Sequence, residues 1–329
     1  MSGELRAWLD AAAGPDEEAV DALYRLVLRR NPEPEARERA LAKLSEGTLS
    51  RATLVHELAG AAEFERIRLL DDAISFARGA RQRGERPRWL QGPPGTDERV
   101  VEIPWVLARL SGRRALEVGY AFAEPPYLAA LLTAGFEELT GVDLAVADVP
   151  GMTTVQADVR ELPFAAGAFD LVLCVSTLEH VGADNTGYGL AAEDDGASRL
   201  TALRELRRVL SPRGRLLVTV PCGEPGDDSW FRQDDVRGWT RLFTRAGFFV
   251  EEQEAYELTG GGWRTAPELD TRGLRYGERG PAASAVLCAE LSPRRLRRLA
   301  SPEGIERTVR RRAPRSLRRL RGGGVPRSS

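Results

Sequence analysis

Arg113-Arg114-Ala115-Leu116-Glu117-Val118-Gly119 is a short apolar run that ends in an acid and a glycine. Glu138-Leu139-Thr140-Gly141-Val142-Asp143 ends in an acid again, and Thr153-Thr154-Val155-Gln156-Ala157-Asp158 does so a third time. A fourth run, Phe169-Asp170-Leu171-Val172-Leu173-Cys174-Val175, leads into Ser176-Thr177-Leu178-Glu179-His180-Val181. Parallel strands are joined by crossovers of a dozen or more residues, so their carboxyl ends open onto one edge of the sheet. Three acids gathered there suit a ligand with a cationic group, a ribose diol and a base. They suit a pyrophosphate poorly.

Working outward, the pattern predicts strands over 113–118, 137–142, 153–157, 169–175 and 214–220, with helices over 125–134, 198–210 and 234–246 and one starting within 98–110 ahead of the sheet. Leu200, Leu203, Leu206, Val209 and Leu210 give the 198–210 helix one buried stripe. Such alternation predicts an α/β fold, a doubly wound, mostly parallel sheet. Two last strands, 248–254 and 283–290, follow a helix and suggest an antiparallel hairpin on one edge. Residues 1–70 read as a small all-α domain: Val20, Leu23, Tyr24, Val27 and Leu28 keep helical spacing, and Ser50 caps a further helix. Between them Asn31-Pro32-Glu33-Pro34 breaks and restarts the helix, with Asn31 as the expected cap. Arg, Gly and Pro dominate 78–95, so 71–95 is expected to be a linker, 96–291 the catalytic-type domain and 292–329 a basic tail.

Composition narrows the chemistry. The chain has 329 residues, 42% hydrophobic and 29% charged, with apolar runs far too short to span a membrane. Thirteen Arg against Glu303 and Glu306 put +11 on 292–329, so the net −2 of the chain leaves −13 on the rest. Lys43 is the only lysine, and His56 and His180 are the only histidines. A P-loop lysine, a Schiff base and a Tyr/Lys dehydrogenase pair are thereby excluded from the strand-rich region. Cys174, Cys222 and Cys288 are odd in number and widely spaced, without metal or disulfide pattern. Reduced, buried thiols in a cytoplasmic protein are expected, and the N-terminus lacks the basic and apolar segments of a signal peptide.

The order and spacing of these motifs resemble the class I methyltransferases that use S-adenosylmethionine (AdoMet), over about residues 96–291. Leu116-Glu117-Val118-Gly119 matches the first motif, Gly141-Val142-Asp143 and Ala157-Asp158-Val159 the acids after strands two and three, and Phe169-Asp170-Leu171-Val172 with Leu178-Glu179-His180-Val181 the fourth strand and its exit. Glu205-Leu206-Arg207-Arg208-Val209-Leu210-Ser211-Pro212-Arg213-Gly214 matches the helix and turn that follow. The resemblance implies AdoMet as cofactor and S-adenosylhomocysteine as product, held by Glu117, Gly119, Tyr120, Ala121, Asp143, Leu144, Asp158, Val159, Ser176 and Thr177. Glu117 would face the cationic side of the ligand, Asp143 the ribose hydroxyls, and Asp158 the adenine amino group with the Val159 N–H beside it. Gly119 would let the ligand approach backbone, with free N–H groups at the helix start behind it. One departure stands out: the family's Gly-x-Gly-x-Gly loop is here Gly119-Tyr120-Ala121-Phe122-Ala123. Alanine costs about 1–2 kcal/mol in left-handed backbone, so this loop is expected to stay in ordinary conformations, with Tyr120 and Phe122 packing on the cofactor. Residues 18–68 resemble a small helical domain of unknown function appended to bacterial glycan-related and surface enzymes.

Methyl transfer is an in-line displacement that needs a base only when the acceptor must lose a proton, as a hydroxyl does. His180 is the candidate base, with packing under the cofactor as its plain alternative. Asn185 and Tyr188, in a long polar loop, and Trp230 and Phe231, in a second loop, are expected to shape the acceptor pocket. Asp194-Asp195 reads as a solvated pair, so no metal is expected. The expected function is O-methylation of a small-molecule or glycan-linked acceptor; the alternative is a catalytically silent AdoMet-fold binding or assembly module. An NAD-dependent oxidoreductase is disfavoured by the missing lysine. Leu291, Leu296, Leu299, Leu317 and Leu320 among the arginines suggest contact with an anionic membrane surface, or else a solubilising tail, and nucleic acid is not expected as a partner.

Overall fold

The computed structural model describes residues 2–86, 92, 94–186, 198–267, 271–280 and 282–294. Ten strands are present among them: β1 (Arg114–Val118), β2 (Glu138–Asp143), β3 (Thr153–Gln156), β4 (Phe169–Val175), β5 (Leu210–Pro221), β6 (Gly226–Asp228), β7 (Phe231–Gln233), β8 (Phe249–Thr259), β9 (Gly262–Ala266) and β10 (Ala285–Ser292). Eight form one sheet in the order β3-β2-β1-β4-β5-β10-β8-β9, while β6 and β7 make a separate hairpin. β1 to β5 pair in parallel, and β10 is antiparallel to both β5 and β8. The expected doubly wound, mostly parallel sheet is therefore present.

The antiparallel end differs in detail from the expected edge hairpin. β8 does pair with β10, but β10 lies inside, between β5 and β8, and β9 forms the edge. All eight residues of β10 are buried, as a strand covered on both faces must be. Its alternation feeds both cores. Leu287, Ala289 and Leu291 pack with Leu203, Leu206, Trp239 and Phe243 on one face. Val286 and Cys288 pack with Ile103, Val106 and Tyr127 on the other.

Helices α1 (Ser2–Ala11), α2 (Asp16–Val27), α3 (Pro34–Ser45) and α4 (Arg51–Ala59) precede the sheet, around Val20, Leu23, Val27, Leu54 and Val55. Ser50 caps α4, its side chain accepting the Thr53 N–H at 3.1 Å. The expected cap at Asn31 is not used: α3 starts from Glu33 with Pro34 as its first helical residue, where the missing N–H is not needed. A 21-residue helix, α5 (Ala62–Gln82), runs through the expected boundary at residue 70. It extends over much of the supposed linker because Leu70, Ala73, Ile74, Ala77 and Ala80 bury one continuous stripe.

α6 (Arg99–Leu107) is buried along most of its length and lies against the sheet. It is pinned there by the Trp105 indole, which donates to Glu254 at 3.1 Å, and by Arg109, whose guanidinium lies 3.9 Å over the Trp105 ring and bonds Glu252 at 2.6 Å. α7 (Pro125–Leu132), α8 (Ser198–Val209) and α9 (Val236–Arg245) complete the layers. Cys174, Cys222 and Cys288 are free and buried. Among the described residues no helix is long and apolar enough to cross a membrane. Leu291, expected with the tail leucines at a surface, is instead buried in β10, where it completes the core. Tyr188, Asp194-Asp195, Leu296, Leu299, Leu317 and Leu320 lie outside the described residues.

Candidate functional site

The strand order reverses at β1, whose neighbours β2 and β4 lead in opposite directions across the sheet, and a crevice opens where the two chains leave. Gly119 after β1 and Thr177 after β4 meet in it. Gly119 has φ +89°, and a Cβ there would sit 2.3 Å from the Thr177 hydroxyl oxygen. The glycine is thus demanded twice, by backbone and by space. Thr177 Oγ1 in turn donates to the Val118 and Val175 carbonyls at 3.1 and 2.9 Å, closing the floor.

A cavity of about 400 Å³ lies over this crevice. Of the residues singled out in the sequence, Glu117, Gly119, Asp143, Leu144, Asp158, Val159, Ser176, Thr177, His180 and Asn185 line it together. Asp143 ends β2 and accepts the Ala121 N–H on one oxygen and the Ala145 N–H on the other, both at 3.0 Å. Each oxygen keeps a lone pair for a ligand. Glu117 is 1% exposed and takes the Tyr127 hydroxyl at 2.8 Å; burial pushes its carboxyl well up, against that bond. Such a desolvated acid is best satisfied by a ligand cation.

Asp158 is more engaged than expected. Its oxygens hold the Arg160 side chain at 3.0 and 2.9 Å and the Arg160 N–H at 2.8 Å. Burial opposes its charge, but these bonds win and hold its carboxyl below the ordinary range. Any adenine contact by Asp158 shares the carboxylate with Arg160. The Val159 N–H beside it has no partner among the described residues.

Tyr120 and Ala121 do not line the cavity. The Tyr120 ring is 1% exposed and packs against Gly141, with its hydroxyl donating to the Ala147 carbonyl at 3.0 Å. It braces the loop after β2, and Ala121 contributes only the N–H given to Asp143. Phe122, 54% exposed, does face the cavity. Tyr120–Phe122 form a single 3₁₀ turn, and none of the alanines in the loop has positive φ. α7 then opens with Pro125-Pro126, so two of the N–H groups expected at that helix start do not exist. A phosphate would find no cradle there.

His180 donates from, or accepts at, Nδ1 with the Trp230 carbonyl at 2.9 Å, and a carbonyl can only accept, so Nδ1 carries the proton. Nε2 then holds the lone pair, 4.0 Å from Glu179. Burial pulls the imidazole below its ordinary value. Trp230 stacks on His180 with ring centres 5.3 Å apart, and it is this ring, through His180, that meets the site. Phe231, expected at the acceptor, is instead buried to 2% between Trp230 and Tyr276, because the loop carrying it folds as the β6–β7 hairpin. Asn185 donates to the His180 and Ala183 carbonyls, so it shapes the loop as it lines the cavity.

The helix expected over 98–110 is α6, but its place in the site was not read from the sequence. Arg99, Glu102 and Ile103 from that helix line the cavity together with the strand-end residues. Glu102, 1% exposed, accepts the Ser176 and Thr219 hydroxyls, each at 2.8 Å. Ser176 is held at φ +43°, uncommon for a residue with a Cβ, and its N–H is fixed by Thr219. A helix read in isolation gives no sign that it faces a loop 74 residues away.

The fold and site define a class I, AdoMet-binding type of α/β domain: a reversing parallel sheet with one antiparallel strand inserted, and acids in place of a phosphate loop. Residues 126–218 match the family described as a methyltransferase domain. Over those residues the chain is similar to a methyltransferase domain. The match takes in Asp143, Asp158, Ser176, Thr177 and His180. An uncharacterized protein of Methanocaldococcus jannaschii is 39% identical over 64 residues, 20% of this chain and 21% of its own length, so the chain spans about a fifth of that relative. Among solved structures, 1,6-didemethyltoxoflavin N1-methyltransferase of Burkholderia thailandensis, with S-adenosylhomocysteine bound, is 16% identical at a TM-score of 0.40, over 70% of this chain and 90% of its own. A Pyrococcus horikoshii protein is 14% identical at 0.38, over 58% and 87%.

AdoMet fits the residues present. It is cationic and lacks phosphate, which suits the buried Glu117 on the cavity and the Pro-Pro start of α7. Asp143 retains acceptor capacity for a diol, and Val142, Leu144 and Phe122 offer apolar walls for a base.

Proposed function

We propose that this chain moves a methyl group from AdoMet to a nucleophile on a small-molecule or glycan-linked acceptor seated over the β1/β4 crevice. The observation that carries the reading is the convergence of Glu117, Asp143 and Asp158 on one cavity at the reversal of strand order. The bound cofactor supplies an electrophilic methyl group on a sulfonium. The chain's work is to hold both partners in line and to receive a proton. Glu117 opposes the cationic end, Asp143 takes the ribose hydroxyls, and Asp158 with the Val159 N–H takes the adenine edge. His180, with Nδ1 protonated and the lone pair on Nε2, is the base that an O-methylation would use.

The glycan element rests on the resemblance of the N-terminal helices to a domain found on glycan-related enzymes, an analogy. In this reading 1–70 is an accessory unit, 96–291 the transferase, and the basic 292–329 a tail that meets an anionic membrane surface from the cytoplasmic side. With a hydroxyl acceptor, His180→Ala should lower transfer of label from methyl-labelled AdoMet into cell-extract acceptors by about 100-fold, the usual contribution of a general base, with S-adenosylhomocysteine affinity unchanged. Full activity of the variant would leave His180 a packing role. Binding of the cofactor with no transfer to any acceptor would favour the silent binding module.

A further inference from the structure

We propose that the acceptor nucleophile is an amine, received and deprotonated by Glu102 on the β4/β5 side of the cavity. This rests on the methyl-transfer reading and replaces its hydroxyl acceptor with a cationic one.

The cavity has two halves. Glu117, Asp143 and Asp158 lie at the ends of β1, β2 and β3, where the cofactor is placed. Glu102 reaches in from α6 over the other half, bonded to Ser176 at the end of β4 and to Thr219 on β5. Both hydroxyls donate to the same oxygen, Oε2. No hydrogen bond reaches Oε1 from the described residues, although the side chain is almost wholly buried and lines the cavity. Ser176 keeps its uncommon backbone conformation while its hydroxyl holds that carboxylate in place.

The charge around Glu102 is unbalanced. Arg99 is the cation acting on it, but Arg99 is already bonded to Glu98 at 2.9 Å and lies 3.6 Å from Glu124. Glu179, behind His180, buries an oxygen with no hydrogen bond among the described residues. Burial lowers the His180 imidazole from its ordinary value, and its Nδ1 proton is committed to the Trp230 carbonyl. Buried carboxylates that outnumber their cations are costly until a partner arrives. An ammonium answers that surplus; a hydroxyl brings no charge, and a carboxylate or phosphate would be repelled.

The same residue suits the chemistry. An ammonium has no lone pair until it loses a proton, and burial pushes the Glu102 carboxyl up to about 7, against the pull of Arg99. That places it where a general base works near neutral pH. Glu102 takes one N–H proton, and the freed nitrogen lone pair forms the new C–N bond. The C–S bond breaks with its electron pair going to sulfur. The products are an N-methylated ammonium, S-adenosylhomocysteine and a protonated Glu102, which returns its proton to solvent.

The test uses two cofactor analogues on the intact chain: S-adenosylhomocysteine, and sinefungin, which carries an ammonium group where the transferred methyl would lie. By calorimetry, sinefungin should bind at least about tenfold more tightly than S-adenosylhomocysteine to the wild type. In Glu102→Gln that advantage should fall below about threefold while S-adenosylhomocysteine affinity stays within about twofold. Equal affinities in the wild type overturn the proposal without any variant, and so does an advantage that survives Glu102→Gln. Failure of both ligands to bind the wild type would remove the methyl-transfer reading itself, and this one with it.

Discussion

Gly119→Ala is expected to cost about 2–5 kcal/mol of folding stability, the sum of left-handed backbone on an alanine and of overpacking against a fixed neighbour. The two terms have separate structural origins. The backbone at Gly119 has φ +89°, and the new methyl carbon would fall 2.3 Å from Thr177 Oγ1 and 2.8 Å from its Cγ2. Thr177 cannot step aside freely, because its hydroxyl is bonded to the Val118 and Val175 carbonyls. For a domain of this size the loss should lower the melting temperature by roughly 5–15 °C, and cofactor binding should disappear with the crevice. Adding Thr177→Ala clears the overlap but leaves the backbone cost, so the double variant should recover only part of the loss. A single variant with unchanged melting would mean that the crevice is much looser than its contacts indicate.

Asp143→Ala carries the second large effect, and it falls on binding. Its carboxylate fixes the loop after β1 through the Ala121 N–H and its own loop through the Ala145 N–H, while facing the cavity. Removing it deletes a charged acceptor for the ribose and releases both loops. S-adenosylhomocysteine affinity should fall tenfold or more, on the order of 1.4 kcal/mol. Asp143→Asn, which can still accept, should fall between the two. Unchanged affinity in the alanine variant would take Asp143 out of the site.

Much of this site was legible because its residues end strands. An acid after an apolar run stays at the carboxyl edge whatever else the chain does, so Glu117, Asp143 and Asp158 meet as their positions imply. Tyr120 and Phe231 show where that logic stops. Both are aromatics in loops next to the cleft, and the sequence does not tell whether such a ring turns toward the ligand or under the sheet. Tyr120 turned under because Gly141, opposite Glu117 on β2, leaves room for its ring. Phe231 turned in because its loop closed into a hairpin and buried it against Tyr276.

The part that α6 plays in the site was the costlier omission. Glu98, Arg99 and Glu102 look like ordinary helix-start charges, and only the fold brings Glu102 to Ser176 and Thr219. The available signal was the apolar character of the rest of the helix, Val100, Val101, Ile103, Trp105, Val106 and Leu107, which marks it as buried all round. A charged residue inside such a helix has to answer to something buried. In the same way, the stripe from Leu70 to Ala80 was available to carry α5 past residue 70, but the Arg and Gly content of 78–95 outweighed it in the reading. The place of β10 inside the sheet was likewise written in Ala285-Val286-Leu287-Cys288-Ala289, an unbroken apolar run unsuited to an edge.

A calorimetric titration of the intact chain with S-adenosylhomocysteine, run beside one with NAD, bears most directly on what the crevice holds. One-site binding of S-adenosylhomocysteine with no measurable heat from NAD is the predicted result. Binding of NAD in its place, or of neither, would contradict it.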